Sequence, residues 1–265
     1  MSTWQVHALR YAERNARTRR DSFLFDDRHD TPHPMDYFIW LLRRESEVIL
    51  VDTGYDGAEA AARGRPILID PVAALEPFDL GPADITRVIV THMHYDHAGG
   101  LHLFPEARLH IQAAEMAYAT GPCMCHGALR APFSAGHVCE AIRRLYSGRV
   151  VFHDGDAEVA EGVTVHRIGG HSRGLQAVRV RTEAGWLVLA SDAAHYYENI
   201  SARSPFPIVV DLEDMLLGFD RLKSLATGPA LIVPGHDPLV TRLFPNDLAD
   251  HVFRLDRGPT GKVPL

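Results

Sequence analysis

The chain has 265 residues, 46% hydrophobic and 23% charged, with 27 Lys plus Arg against 34 Asp plus Glu for a formal net charge of −7. That is enough apolar material to bury a core without help from disulfides or metal, and the acidic balance argues against a protein that grips nucleic acid by neutralising phosphates. The count that stands out is 16 His.

The first twenty residues, MSTWQVHALRYAERNARTRR, hold neither an apolar signal core nor a small-residue cleavage site, so no secretory leader is expected. Arg10, Arg14, Arg17, Arg19 and Arg20 are followed at once by Asp21, Asp26, Asp27 and Asp30. This reads as a solvated, self-neutralising surface. Short Val- and Ile-rich runs bounded by Gly, Asp or Pro predict strands over 37–42, 48–51, 87–90, 150–152, 163–168, 177–180, 186–190 and 231–233. Helices are predicted over 57–63, 112–119, 137–146 and 212–226, the last with Asp211 as N-cap. Strands and helices in alternation give an α/β layered domain, and no linker or repeat divides residues 1–265. Segment 120–136, TGPCMCHGALRAPFSAG, has no clear period and reads as a long loop. No run approaches 18 apolar residues, so no membrane span is expected. Three cysteines, Cys123, Cys125 and Cys139, fit reduced thiols in a cytoplasmic protein. Cys123-x-Cys125-His126 has no second pair, so it reads as small apolar side chains rather than a metal site.

The richest segment is THMHYDHAGG, residues 91–100, directly after the strand-like RVIV. His92, His94, Asp96 and His97 fall within six residues there. Imidazole and carboxylate together suit zinc and similar divalent ions. Four such groups exceed what one tetrahedral ion takes from so short a loop, so two ions are the natural reading. Open α/β sites form where strands end. Three more predicted strands run straight into His171, Asp192 and His236. The total is five His and two Asp, which can hold two ions with one carboxylate bridging. His102, His110, His153 and His166 read as plain surface residues. Met35, Tyr37, Met116 and Phe133 could supply an apolar pocket wall, but all four read first as core or loop residues and are not taken as site residues.

With these residues in place, the chain resembles the metallo-β-lactamase-fold hydrolases. Their His-x-His-x-Asp-His, His, Asp, His order is met by His92, His94, Asp96, His97, His171, Asp192 and His236, and VDTG at 51–54 is similar to their Asp-Thr-Gly turn. The resemblance implies an αββα four-layer sandwich, and makes Asp52 a partner of a ligand rather than a ligand. It also implies one metal on His92, His94 and His171, a second on Asp96, His97 and His236, and Asp192 between them. Within that superfamily the chain is most similar to the acyl-homoserine lactonases, through PHPMDYFIWLL, GGHSRGLQ and SDAAHYYEN. The implied activity is quorum-quenching lactone hydrolysis by a hydroxide bridging two divalent ions, with Zn first and Mn, Fe or Co as alternatives. Asp96 would handle the proton. A small-molecule lactone or ester would be the partner, without nucleic acid or membrane, and a homodimer is a family-level expectation. Those lactonases commonly carry a Tyr three residues after the bridging Asp. Here that position is His195, so the donor to the substrate carbonyl is His195 or Tyr196, or the substrate differs. Thioester hydrolysis of the glyoxalase II kind and a catabolic lactonase or esterase are the competing enzymes. A lactone sensor on the same fold is the competing non-enzyme.

Overall fold

The computed structural model describes residues 2–265. Strand β1 (Gln5–Arg14) is followed by β2 (Met35–Arg44) and β3 (Glu47–Val51), then helix α1 (Gly57–Arg63) and β4 (Arg87–Ile89). The short α2 (Tyr95–Ala98) precedes β5 (Arg108–Gln112), α3 (Ala113–Ala119), α4 (Gly127–Arg130), α5 (Ala135–Tyr146) and β6 (Val150–His153). Next come β7 (Ala157–Ala160), β8 (Val163–Arg167), β9 (Gln176–Thr182) and β10 (Gly185–Ser191). The chain closes with α6 (Tyr197–Ser201), α7 (Leu212–Leu225), β11 (Ile232–Pro234), α8 (Val240–Leu243), β12 (Asn246–Asp247) and β13 (Ala249–Arg254).

Among the described residues these strands form two mixed sheets, ordered β12-β13-β1-β2-β3-β4-β5-β6 and β11-β10-β9-β8-β7. β2 explains why the sheets stack. Its successive side chains point to opposite faces, and both faces are apolar. Phe38, Trp40 and Leu42 pack with Val163, Val178, Val180 and Leu187 of the second sheet. Tyr37, Ile39 and Leu41 join the other face with Ala60, Met116, Val138 and Ala141 from α1, α3 and α5. The second sheet is covered on its far side by Met215, Phe219 and Leu222 of α7. The order of layers is therefore helices, sheet, sheet, helices, the αββα sandwich that the resemblance implied.

Every predicted strand is present within a residue or two. α7 starts where Asp211 caps it, the carboxylate accepting the Asp214 N–H at 3.0 Å. Segment 120–136 is more ordered than the loop expected. It holds a 3-10 turn at Pro122–Cys125, the whole of α4 and the start of α5. β1, β5, β7, β12 and β13 were not legible as strands. No helix among the described residues is long and apolar enough to cross a membrane.

Candidate metal centre

The chain leaves β4 at Ile89 and passes through His92 and His94 before α2 presents Asp96 and His97. His171 lies beyond β8, Asp192 directly beyond β10, and His236 beyond β11. All four segments are carboxyl ends of strands, where open sheets build sites. Glycine is required at two of these turns. Gly170 sits at φ +81°, and a Cβ on it would lie 2.7 Å from the Met215 nitrogen at the start of α7. A Cβ on Gly235 would lie 2.8 Å from Asp192 Oδ1.

The seven side chains are buried together. Ligand atoms of His92, His94 and His171 lie within 4.8 Å of one another, and so do those of Asp96, His97 and His236. Asp192 stands between the two groups. Its Oδ2 is 3.3 Å from His171 Nε2 and 3.9 Å from His92 Nε2, while its Oδ1 is 3.2 Å from His97 Nε2 and 3.0 Å from His236 Nε2.

The outer nitrogens are anchored. Nδ1–H of His171 donates to the Ile208 carbonyl at 2.6 Å, and that of His236 to the Asp36 carbonyl at 2.8 Å. His97 Nδ1–H donates to Asp52 Oδ2 at 2.8 Å, and His92 Nδ1 meets Thr91 Oγ1 at 3.1 Å. Asp52 also accepts the Thr91 N–H and hydroxyl, each at 2.7 Å. This tautomer leaves Nε2 of each ring as a lone pair facing inward. Among the described residues, His97 Nε2, Asp192 Oδ1 and His236 Nε2 are buried without a hydrogen-bond partner. Polar atoms buried in that way cost free energy unless another group takes them. Convergent imidazole lone pairs and carboxylate oxygens suit divalent cations, so the donor set fits metal.

The electrostatics agree. Burial pushes His92, His94 and His171 below the usual imidazole range, which keeps them neutral as ligands must be. At His97 burial is outweighed by the charges of Asp192, Asp52 and Asp96, which push its pKa well up. A proton and a cation would compete there for one lone pair. Burial raises Asp192, but His236, His97 and His195 together hold it well below the carboxylate range.

A cavity of about 410 Å³ opens over Asp96, Asp192, His94, His171 and His236, walled by Met35, Tyr37, Tyr118, Pro132 and Ile208. Met116 and Phe133 pack in the core instead, with the Phe133 ring 4.6 Å from that of His94. His195 lines the cavity. Its Nε2 lies 2.9 Å from Asp192 Oδ2, its ring stacks on Phe206 at 3.5 Å, and burial lowers its pKa to about 3. Tyr196 is a correction to the sequence reading. Its hydroxyl donates to the Pro34 carbonyl at 3.2 Å, its ring packs on His33 at 4.2 Å, and it does not line the cavity.

Other expectations change as well. His110, His153 and His166 are buried rather than on the surface. His110 Nδ1 is 3.1 Å from His153 Nε2, and His166 pairs with Asp156 at 3.0 Å. His102 is half-exposed, as expected. The arginine run is not simply a surface. Arg10, Arg19 and Arg20 do find Asp36, Asp26 and Asp30, but Arg14 and Arg17 line the cavity. Sequence reasoning also missed Glu115. This fully buried carboxylate accepts Met93 N–H at 2.9 Å, the Ser172 hydroxyl at 2.7 Å and Gly174 N–H at 2.9 Å, tying the His92–His94 loop to the His171 loop. An acidic residue beside Met116 in a helix that packs on the sheet was the only available signal.

The metallo-beta-lactamase superfamily profile matches residues 34–236. An N-acyl homoserine lactonase of Bacillus cereus is 30% identical over 75% of this chain and 80% of its own length. A probable metallo-hydrolase of Mycobacterium tuberculosis is 27% identical over 76% of this chain and 71% of its own. Among solved structures, a quorum-quenching N-acyl homoserine lactone lactonase superposes with a TM-score of 0.72 at 24% identity, covering 90% of this chain and 94% of that one. The match runs from Pro34, just before β2, to the last histidine of the cluster, and the chain belongs to the metallo-beta-lactamase superfamily.

Proposed function

We propose that this hydrolase opens a lactone ring with two divalent ions, zinc first among Zn, Mn, Fe and Co. His92, His94 and His171 would hold one ion, Asp96, His97 and His236 the other, and Asp192 would serve both. The observation that carries this reading is the placement of Asp192, whose two oxygens face different histidine groups. The Bacillus relatives named N-acyl homoserine lactonases support a lactone as substrate.

Ions held there would lower the pKa of water to about 7 and polarise a carbonyl oxygen. The chain's own residues do the rest. Asp96, which lines the cavity, takes the proton of the attacking water and returns it to the ring oxygen as the carbonyl-carbon-to-oxygen bond breaks. One C–O bond forms, one breaks, and water is consumed. His195 keeps Asp192 in place through its Nε2, held flat against Phe206, and acts as a positioning residue. Tyr37 packs its ring on His236 at 5.1 Å and brings a phenol to the wall, where it can orient the substrate.

The test is metal analysis joined to a pH-indicator hydrolysis assay. The panel holds N-acyl homoserine lactones of several lengths, simple γ- and δ-lactones, and S-lactoylglutathione. Two ions per chain, loss of lactone opening on chelation and its return with Zn²⁺ are expected. Turnover of the thioester with silence on every lactone would overturn the lactone reading.

A further inference from the structure

Arg14, Arg17, Arg63 and Arg65 line the cavity that holds Asp96 and Asp192. Arg63 is paired with Glu59. The other three have no ion-pair partner among the described residues, although Arg10, Arg19, Arg20, Arg28 and Arg44 all find one. Arg17 is the most telling. It is only 6% exposed, and its guanidinium donates to three neutral acceptors, the Asp21 carbonyl at 2.7 Å, Ser22 Oγ at 3.5 Å and Met35 Sδ at 2.9 Å. Its Nε is buried with no partner at all. Arg65 donates to the phenol oxygens of Tyr95 and Tyr37, which are also neutral. Arg14 makes no side-chain hydrogen bond or ion pair among the described residues. The carboxylate that acts on Arg65, Asp96, already belongs to the metal cluster.

A cation taken from water without a counter-charge is costly. Arg17 is in that position, and half-buried Arg14 and Arg65 line the same cavity beside it, so in a chain whose net charge is −7 the three together call for an anion brought by the ligand. Guanidinium groups match carboxylate and phosphate oxygens in geometry as well as in charge. A neutral alkyl tail would leave buried Arg17 uncompensated.

We propose that the substrate is a lactone or ester that also carries an anionic oxygen group, a carboxylate or a phosphate, received by Arg14, Arg17 and Arg65 while the scissile carbonyl lies over Asp192. The reaction named here rests on the hydrolase reading above; the anion site does not. A cavity of about 410 Å³ limits the ligand to a small molecule.

The test uses zinc-loaded protein and one lactone ring bearing three tails that end in a carboxylate, its primary amide, or a phosphate. The expected result is kcat/KM at least about tenfold higher for one of the anionic tails than for the amide. R14Q and R65Q should each cut that ratio at least fivefold. R20Q, on an exposed arginine paired with Asp30, should leave it unchanged. Arg17 is buried, so R17Q endangers the fold, and the other two variants carry the test. The anionic tail preferred tells carboxylate from phosphate. A wild-type ratio of one or less for both anions, or a ratio untouched in R14Q and R65Q, overturns the proposal and leaves the hydrolase standing. If no lactone or ester turns over, the hydrolase reading falls by itself. Calorimetric titration with glutarate and with inorganic phosphate then decides the anion site. Binding at least fivefold weaker in R14Q supports it, and equal binding overturns it.

Discussion

Removing Glu115 should loosen the metal centre without touching a proposed ligand. In E115A three buried donors lose their acceptor: Met93 N–H, Ser172 O–H and Gly174 N–H. Each orphaned buried donor costs about 1–3 kcal/mol. Part of this is offset, because burial already pushes the Glu115 carboxyl up and its desolvation is relieved on removal. A net loss of about 2–4 kcal/mol follows, a large share of the usual 5–15 kcal/mol of a folded protein. E115Q keeps one good acceptor and turns its amide toward a backbone N–H, so about 1–3 kcal/mol is expected there. The two loops that Glu115 joins carry His92, His94 and His171. Zinc affinity should therefore fall about 10- to 100-fold, as for other groups that support ligands from behind. Urea unfolding of the metal-free protein gives the first number, and competition with a chelator gives the second. Full zinc affinity in E115A, together with a stability loss under about 1 kcal/mol, would refute the argument that this carboxylate holds the two loops together.

G235A should displace Asp192, because the new Cβ would stand 2.8 Å from Oδ1; zinc stoichiometry by elemental analysis should drop below wild type, and an unchanged value would count against Asp192 as the shared ligand. Y196F should keep kcat/KM within about twofold on the best substrate, since the hydroxyl serves the Pro34 carbonyl and not the cavity, and a tenfold loss would restore Tyr196 to the mechanism. His110 gives a pH effect. Burial first, then His153, lowers its pKa from 6.5 to about 4, so between those values the unfolded state binds more protons than the folded one and stability falls as pH falls. From pH 7 to pH 5 this one group should cost about 2 kcal/mol. H110Q should remove that share of the slope in urea midpoints, and equal slopes would show that His110 protonates freely in the fold.

The strands that proved legible carry Val- and Ile-rich runs; in β2, β3 and β10 the run is unbroken and largely buried, while β6, β8 and β9 were marked by β-branched residues despite partial exposure or an interrupting polar residue. β1 and β13 hid because His7, Arg10, Arg14, Asp250, His251 and Arg254 interrupt their apolar residues. β5 hid because Arg108 and His110 do the same, and β7 because it is partly exposed, with Glu158 at its centre. The metal cluster could be read in advance because turn chemistry concentrates it at strand ends, which a linear sequence records. Contacts between distant segments leave no such mark. Nothing beside Arg17 in the chain says that it reaches Met35, or that its acidic neighbours pair with Arg19 and Arg20 instead. Tyr196 failed for a related reason. One residue of offset from His195 turns a side chain from the cavity toward His33.

The place of β1 in the first sheet has a consequence for how the protein is made. One edge of β1 pairs with β2, close behind it in the chain, and the other pairs with β13, almost the last element. During synthesis that second edge emerges early and waits, its N–H and C=O groups unmatched, until nearly the whole chain has been translated. An open strand edge is a template for pairing with other chains. β13 covers only His7, Ala8 and Leu9, so the stretch of edge that waits is short, and the charged residues Arg10, Glu13 and Arg14 that follow it on the same strand keep an apolar edge from extending further.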